Sequence, residues 1–340
     1  MNWFIRLTGF PEKSYAATRA QLEVQGTTLR SKVNGRSYAI GTFEMASLAS
    51  LRARVAEGLG CKGRTRISIV QGDVRRMHQL PEYAGALFQV ASQFNALEML
   101  NANLTPEDGV TRYQGDPTQG PACAIAAGAA TIWRNYFAPV GEQIGQTAER
   151  QLDGLADIGA ELSARLDRPV SSLWSWWSGY AMCTREGLDL IADHLRAIGP
   201  EQVDALAGML RIGIHRDVEV TDAATTPGPL VSQAFCSALP VAFGRVAPQH
   251  WEAFAQLVLD AAYEATMLEA VLNARRGASD IVLLTLLGGG AFGNDADWIH
   301  TAIRRAVTKV HGFDLDVRLV SYGQPSAKTR RLIAGLSTRQ

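Results

Sequence analysis

The sequence predicts an α/β fold, and three observations carry that expectation. Short apolar runs, RISIV (66–70), ALFQVA (86–91) and IVLLTLL (281–287), are each followed by glycine or polar residues, as buried strands are. Amphipathic stretches separate them. The clearest runs from Gln249 to Ala274 and sets Phe254, Leu257, Val258, Ala261, Ala265, Leu268 and Leu272 along one helical face. The last apolar run then opens into three glycines, Ala-Phe-Gly and a helix-like segment, NDADWIHTAIRRAVTKV.

Taken in order, FIRL near the N-terminus is expected as a strand and SYAATRAQLEVQ as a helix capped by Ser14. Asn34-Gly35, between TLRSKV and RSYAIGTFE, predicts a hairpin, because both residues tolerate the positive φ of a tight turn. SLASLRARVAEGLG has helical spacing and ends in glycine. Residues 101–122 form a loop of about twenty residues rich in Asn, Pro, Gly and Asp, a length that marks either function or disorder. TQGPACAIAAGAATIWRNYF carries small residues at helical spacing: a crowded helix, or one whose N-terminus faces a ligand. From 138 to 199 the pattern reads as mostly helical, in VGEQIGQTAERQLDGLADIGAELSARL and TREGLDLIADHLRAIG. Between them SSLWSWWSGYAM is read as a helix–helix core, with a stacking or partner surface as the alternative. VDALAGMLRIGIHRDVEVTD suggests a helix into a strand, TTPGP a turn and VSQAFCSALPVAF an apolar segment. DLDVRLVSY is the closing strand, and KTRR is read as a frayed end.

Composition narrows the function classes. The 340 residues are 47% hydrophobic, enough for a large core. Lys+Arg and Asp+Glu both number 33, so nothing points to a general nucleic-acid or anionic-membrane binder. Cys61, Cys123, Cys183 and Cys236 lie far apart without a CxxC pair, so neither a zinc site nor a disulfide framework is expected. MNWFIRLTGF lacks the apolar stretch of a secretory signal, and no long apolar span occurs. A cytoplasmic monomer without metal or cofactor is the expectation.

Gly288-x-Gly290-x-x-Gly293 permits close approach of backbone N–H groups to a ligand, and a following helix N-terminus favours negative charge. Together these make a phosphate cradle. A Rossmann unit places this motif early and wants an acid at the end of the next strand. Here Asp314 and Asp316 precede or start that strand, and about twenty residues follow it. No Gly-Lys-Ser/Thr follows, which excludes a Walker loop. The structural alternative is a glycine turn joining strand to helix.

Four stretches, IVQGDV (69–74), ALFQVASQFNALEM (86–99), TQGPACAI (118–125) and LLTLLGGGAFGND (283–295), resemble in that order the macrodomains, which bind ADP-ribose. The resemblance covers 66–135 and 280–323. It implies a macrodomain-like three-layer αβα arrangement around a central mixed sheet. Residues 1–65 would be an N-terminal αβ extension, 66–135 the first macrodomain-like part, 136–279 a mainly helical insertion and 280–340 the second part. It also implies site roles. Asp73, beside Val74, would accept from the adenine amino group. Gln119, Gly120, Pro121 and Ala122 would line the diphosphate and distal ribose. Gly288, Gly289, Gly290, Ala291, Phe292 and Gly293, through Asn294, would wrap the phosphates, with Phe292 against the distal ribose. Asn95, or Ser92 and Gln93, would stand at the family's ribose-contacting Asn. The chemistry agrees, since a carboxylate accepts from an exocyclic amine and backbone amides suit a diphosphate. Two motifs depart from the family: its Asn-Ala-Ala-Asn is Gln89-Val90-Ala91-Ser92 here, and its Gly-Gly-Gly-Val turn is Thr118-Gln119-Gly120-Pro121. Those regions carry hydrolytic chemistry in active relatives.

Cleaving an ADP-ribose glycosidic link requires stabilisation of an oxocarbenium-like ribose and a positioned acid or water. Glu264 is the first catalytic candidate. It lies at the margin of the apolar stripe, where partial burial would raise its pKa; the alternative is a carboxylate pairing within the helix bundle. Glu98 and Asn95, near the expected ribose, are the others, with a surface carboxylate as the plain reading of Glu98. Asp116 and Gln119 could orient water, although Asp-Pro is an ordinary turn signal. His215 reads as structural, and Cys123 as a packed residue or a helix-start thiolate. The expected function is removal of ADP-ribose from modified protein side chains, with ADP-ribose or an ADP-ribosylated protein as partner. A non-catalytic reader, or an enzyme of small ADP-ribose derivatives, is the alternative.

Overall fold

Seven strands build the central sheet, in the spatial order Thr42–Ser47, Arg211–Glu219, Leu230–Cys236, Leu87–Ala91, Ile281–Leu284, Asp316–Ser321, Arg66–Gln71. The last five run parallel, while Arg211–Glu219 is antiparallel to both its neighbours. The sheet is therefore mixed, as expected. The computed structural model describes residues 2–58 and 62–337; Gly60, at the expected helix end, and Cys61 lie outside the described residues.

Strand periodicity decides the layers. Leu87, Val282, Leu284, Val317 and Leu319 face one core, whereas Phe88, Val90, Leu283 and Phe235 face the other. The first core is covered by Leu48–Glu57, Glu252–Arg275 and Ala296–Lys309, and the second by Val74–Met77, Gln119–Ala126 and Gly128–Tyr136. This is a three-layer αβα arrangement. Parallel strands buried on both faces explain the near-continuous apolar runs in the sequence.

Several expectations are corrected. FIRL is helical, within Trp3–Thr8: the Asn2 side chain accepts from Ile5 N–H, and Gly9 closes the helix at φ 80°. WSWW is not a helix. Trp174–Trp177 pairs antiparallel with Tyr180–Cys183 across a turn at Ser178 and Gly179, whose φ values are 46° and 85°. Residues 139–154 form no helix; the helix there is Ala156–Leu166. KTRR lies inside the helix Ala327–Ser337 rather than fraying.

Residues 136–279, expected as a mainly helical insertion, hold five α-helices but also strands. They supply two strands of the central sheet and the Glu252–Arg275 helix beneath it, so apolar faces of that segment complete the main core. Likewise the edge strand Thr42–Ser47 comes from the expected N-terminal extension. Among the described residues no helix is long and apolar enough to cross a membrane.

Candidate functional site

A cavity of about 640 Å³ opens beyond the carboxyl ends of the parallel strands. Its lining follows directly from five strand ends: Asp73, Ser92, Ala238, Thr285 to Gly288, and Tyr322. Open α/β sheets bind ligands on this side, because diverging strands leave a crevice there. Here the divergence is specific. Ile281–Leu284 pairs with Leu87–Ala91 only at Val282 with Leu87 and Leu283 with Phe88. Past that point the Gln119 side chain takes over the ladder: its Oε1 accepts from Ala91 N–H at 2.8 Å, and its Nε2 donates to Gln89 O at 2.8 Å. Gln89 Oε1 in turn accepts from Thr285 N–H at 3.2 Å. Gln119 thus lines the cavity, but its polar atoms are committed to backbone.

Gln119 also begins the helix Gln119–Ala126, whose N-cap Thr118 makes no side-chain capping bond. Its first turn, with Gly120, Pro121 and Ala122, faces the cavity. A Cβ on Gly120 would overlap the Ala91 carbonyl and crowd Glu98 Cγ at 3.2 Å, so glycine is what allows the helix to sit this close to the strand. Opposite it is the glycine loop. Gly288, Gly290, Ala291 and Phe292 line the cavity, whereas Gly289, Gly293 and Asn294 do not. These three shape the loop instead: Gly289 N–H donates to Leu286 O, Gly293 N–H to Gly290 O, and Asn294 Nδ2 to Leu239 O at 2.8 Å. Gly288, Gly290 and Ala291 amides donate to no protein acceptor among the described residues. The helix after the loop contributes less than its sequence suggests. It starts at Ala296, and the Asp295 carboxylate already caps it by accepting from Asp297 N–H.

Glu98 is the carboxyl built into the cavity. The turn from Ser92 to Met99 is pinned from several sides. Gln93 Oε1 accepts from Met99 N–H, and its Nε2 donates to Met99 O and to Tyr180 Oη. Asn95 Oδ1 accepts from Leu97 N–H, and Tyr113 Oη accepts from Glu98 N–H. Glu98 is 1% exposed. Its Oε1 lies 3.4 Å from Arg134 Nη2, while Oε2 has no hydrogen-bond partner. Burial pushes its pKa up to about 7, against the pull of the Arg134 guanidinium. Far from being a surface carboxylate, it is a buried acid with one free oxygen, poised to hold or release a proton near neutrality.

The other two catalytic candidates are not brought to the cavity. Glu264 faces the opposite layer, where Oε1 accepts from Arg52 Nε at 2.6 Å; an all-round buried helix leaves its acid no place but an ion pair. Asn95 braces the turn and donates to Gln151 Oε1 at 2.8 Å. Asp73 and Val74 line the cavity, with Asp73 also capping the Val74–Met77 helix through Arg75 N–H. Ser92 and Gln93 line it too, though the Ser92 hydroxyl donates to Gln93 O. Asp116 lines the cavity and accepts from Thr118 N–H. The Cys123 thiol is raised by burial, so a helix-start thiolate does not form. Burial and Arg134 hold His215 well below the usual histidine range, leaving it neutral.

Among the lining residues that sequence reasoning missed, Tyr180, Phe243, Arg75 and Tyr322 carry the most chemistry. Tyr180 and Phe243 join Phe292 in an aromatic group with ring centroids 5.4 to 5.5 Å apart. Arg75 stands at the Asp73 end, its Nε donating to Asp222 Oδ2. Tyr322, 83% exposed, stands at the mouth. An aromatic on the residue after an apolar strand was the available signal for Tyr322; Tyr180 and Phe243 come from segments whose folding back no local pattern announces.

No family model and no curated protein sequence matches the chain. Among solved structures, the fold is similar to poly(ADP-ribose) glycohydrolase from Deinococcus radiodurans in complex with ADP-ribose. That match has 12% identity and a TM-score of 0.46 over 87% of this chain and 95% of that one. It is also similar to the glycohydrolase of the same name from Thermomonospora curvata, at 14% identity and TM-score 0.43 over 96% of this chain and 98% of that one. The Thermomonospora curvata protein bound to the inhibitor ADP-HPD matches at 13% identity and TM-score 0.41, over 96% and 98% of the two chains. Likenesses at this level assign no activity to the chain.

Proposed function

We propose that this protein binds ADP-ribose and hydrolyses the bond joining its distal ribose to a modified protein side chain. One observation carries the reading: a buried carboxyl with an unpartnered oxygen, Glu98, shares a cavity with acceptor-free glycine-loop amides and an uncapped helix start. The amides and helix start suit a diphosphate. A carboxyl whose pKa lies near 7 suits a reaction needing both an acid and a base. The cavity volume falls within the range of small-molecule sites.

In this reading the protonated Glu98 gives its proton to the leaving atom of the side chain as the ribose C1″ bond breaks, and the bonding pair departs with that atom. The carboxylate then stabilises the oxocarbenium-like ribose and takes a proton from the attacking water. The ribose keeps the water's hydroxyl, the side chain keeps the first proton, and Glu98 ends protonated as it began. Release of free ADP-ribose from an ADP-ribosylated protein, by wild type and by Glu98→Gln, tests this. The variant is expected to bind ADP-ribose in calorimetry while turning over about 10² to 10⁴ times more slowly. Saturable binding with no release by wild type makes the protein a reader, and absence of binding sinks both readings.

A further inference from the structure

The cavity carboxyl has a partner outside the cavity. Arg134, on the helix Gly128–Tyr136, is 0% exposed and does not line the site. Its Nε donates to Ala96 O at 3.0 Å and its Nη2 to Thr131 Oγ1 at 3.1 Å and Glu98 Oε1 at 3.4 Å. Its guanidinium carbon lies 3.7 Å from the centroid of the Phe235 ring. A guanidinium buried this deeply demands an anion, and Glu98 is the carboxylate it meets. Ala96 belongs to the same turn, so one side chain ties both the backbone and the carboxyl of the segment carrying Glu98.

We propose that Arg134 is the positioning residue of this carboxyl, occupying Oε1 and fixing its charge and aim, while Oε2 takes no hydrogen bond from the protein. This rests on the reading of Glu98 as the cavity's acid–base group. The remaining groups around Glu98 do not substitute for it. Tyr113 contributes a neutral hydroxyl, Cys123 a thiol raised by burial, and His215, 3.4 Å from Arg134 Nη1, a neutral ring. Asp73 and Asp116 line the same cavity as further acids, and Arg75, a cation of the lining, is engaged by Asp222.

Nuclear magnetic resonance of the full chain tests this without any ligand. The Arg134 Nε–H resonance, assigned with Arg134→Lys, is expected to shift in step with the Glu98 carboxyl carbon as pH rises, and Glu98→Gln should abolish that shift. Arg134→Met should move the Glu98 midpoint upward by about one unit or more, whereas Arg134→Lys, which keeps the charge, should hold it near wild type. An Arg134 resonance that stays flat, or that still titrates in Glu98→Gln, overturns the proposal, as does an unchanged midpoint in folded Arg134→Met. If Arg134→Met does not fold, the wild-type and Glu98→Gln titrations decide alone. Failure to bind ADP-ribose would sink the functional reading and leave this result standing.

Discussion

Arg52 Nε donates to Glu264 Oε1 at 2.6 Å, and the same guanidinium reaches both carboxylate oxygens of Asp204. The pair ties the helix Leu48–Glu57 to the middle of Glu252–Arg275, and neither helix gives a residue to the cavity lining. A carboxylate 4% exposed and matched by an arginine has a structural duty, because losing Arg52 would strand the Glu264 charge in an apolar layer.

Glu264→Gln is therefore expected to leave ADP-ribose affinity and turnover unchanged while lowering stability by about 1–3 kcal/mol, the scale of a hydrogen bond involving a charged group. Thermal unfolding beside a turnover assay checks this. Loss of turnover at unchanged stability would return Glu264 to the reaction.

Glu98 makes a pH prediction. Its folded-state pKa is raised from 4.5 to about 7, so the fold favours the protonated form. Its contribution to stability is present below the ordinary carboxylate range and is lost as pH rises through about 7. Asp153, raised by burial to about 6, acts in the same direction. Glu44 acts oppositely: paired with Arg54 and Arg216 and lowered to about 2, it stabilises above the ordinary range and loses that contribution as pH falls through about 2. Glu98→Gln isolates the first effect. Relative to wild type, its unfolding midpoint in urea should improve from about pH 4.5 to about pH 8. A difference that stays constant across that window would show that Glu98 does not titrate in the fold.

Two of the glycines in the cavity walls should respond differently in stability. Gly120→Ala places a methyl group against the Ala91 carbonyl, so the helix must shift and the protein should lose both stability and ligand affinity. Gly290 has open space where its Cβ would stand and no left-handed φ, so Gly290→Ala should fold as wild type. Weakened ADP-ribose binding in that folded variant is the expected mark of a backbone approached closely by phosphate. Calorimetry and melting on both variants separate the cases, and full affinity in Gly290→Ala counts against the phosphate assignment.

What was legible in the sequence follows from how local each cause is. Buried parallel strands announce themselves as apolar runs, and the glycine loop follows where one ends, so Gly288, Gly290, Ala291 and Phe292 fall in the lining. The turn bonds that take Gly289, Gly293 and Asn294 out of it are not local signals. Trp174 to Trp177 misled because tryptophan fits a helix core as well as a hairpin; the turn at Ser178 and Gly179 decides, and it is a two-residue signal. Glu264 and Glu98 cannot be ranked from spacing alone. Their difference is place: Glu98 lines the cavity beside Arg134, whereas Glu264 pairs with Arg52 away from it, and that is a tertiary fact. The strands at 211–219 and 230–236 join the main sheet through pairing with residues more than a hundred positions away, which no periodicity records.

At the mouth, Asp73 and Tyr322 follow adjacent parallel strands, Arg66–Gln71 and Asp316–Ser321, and both line the cavity. A purine held between them would receive an acceptor for its exocyclic amine from Asp73 and a flat face from Tyr322. The two variants separate these roles. Tyr322 is 83% exposed, so Tyr322→Ala should change stability by no more than about 0.5 kcal/mol, while loss of base stacking weakens ADP-ribose binding by about 1–3 kcal/mol. Asp73→Ala should weaken binding by a similar 1–3 kcal/mol, roughly the value of a charge-assisted hydrogen bond. It should also destabilise the protein by about 1 kcal/mol, since Asp73 caps the Val74–Met77 helix. Ribose 5-phosphate, which lacks the base, supplies the control: its affinity should be the same in wild type and Tyr322→Ala. Equal losses for ADP-ribose and ribose 5-phosphate would place the base somewhere other than between these two residues.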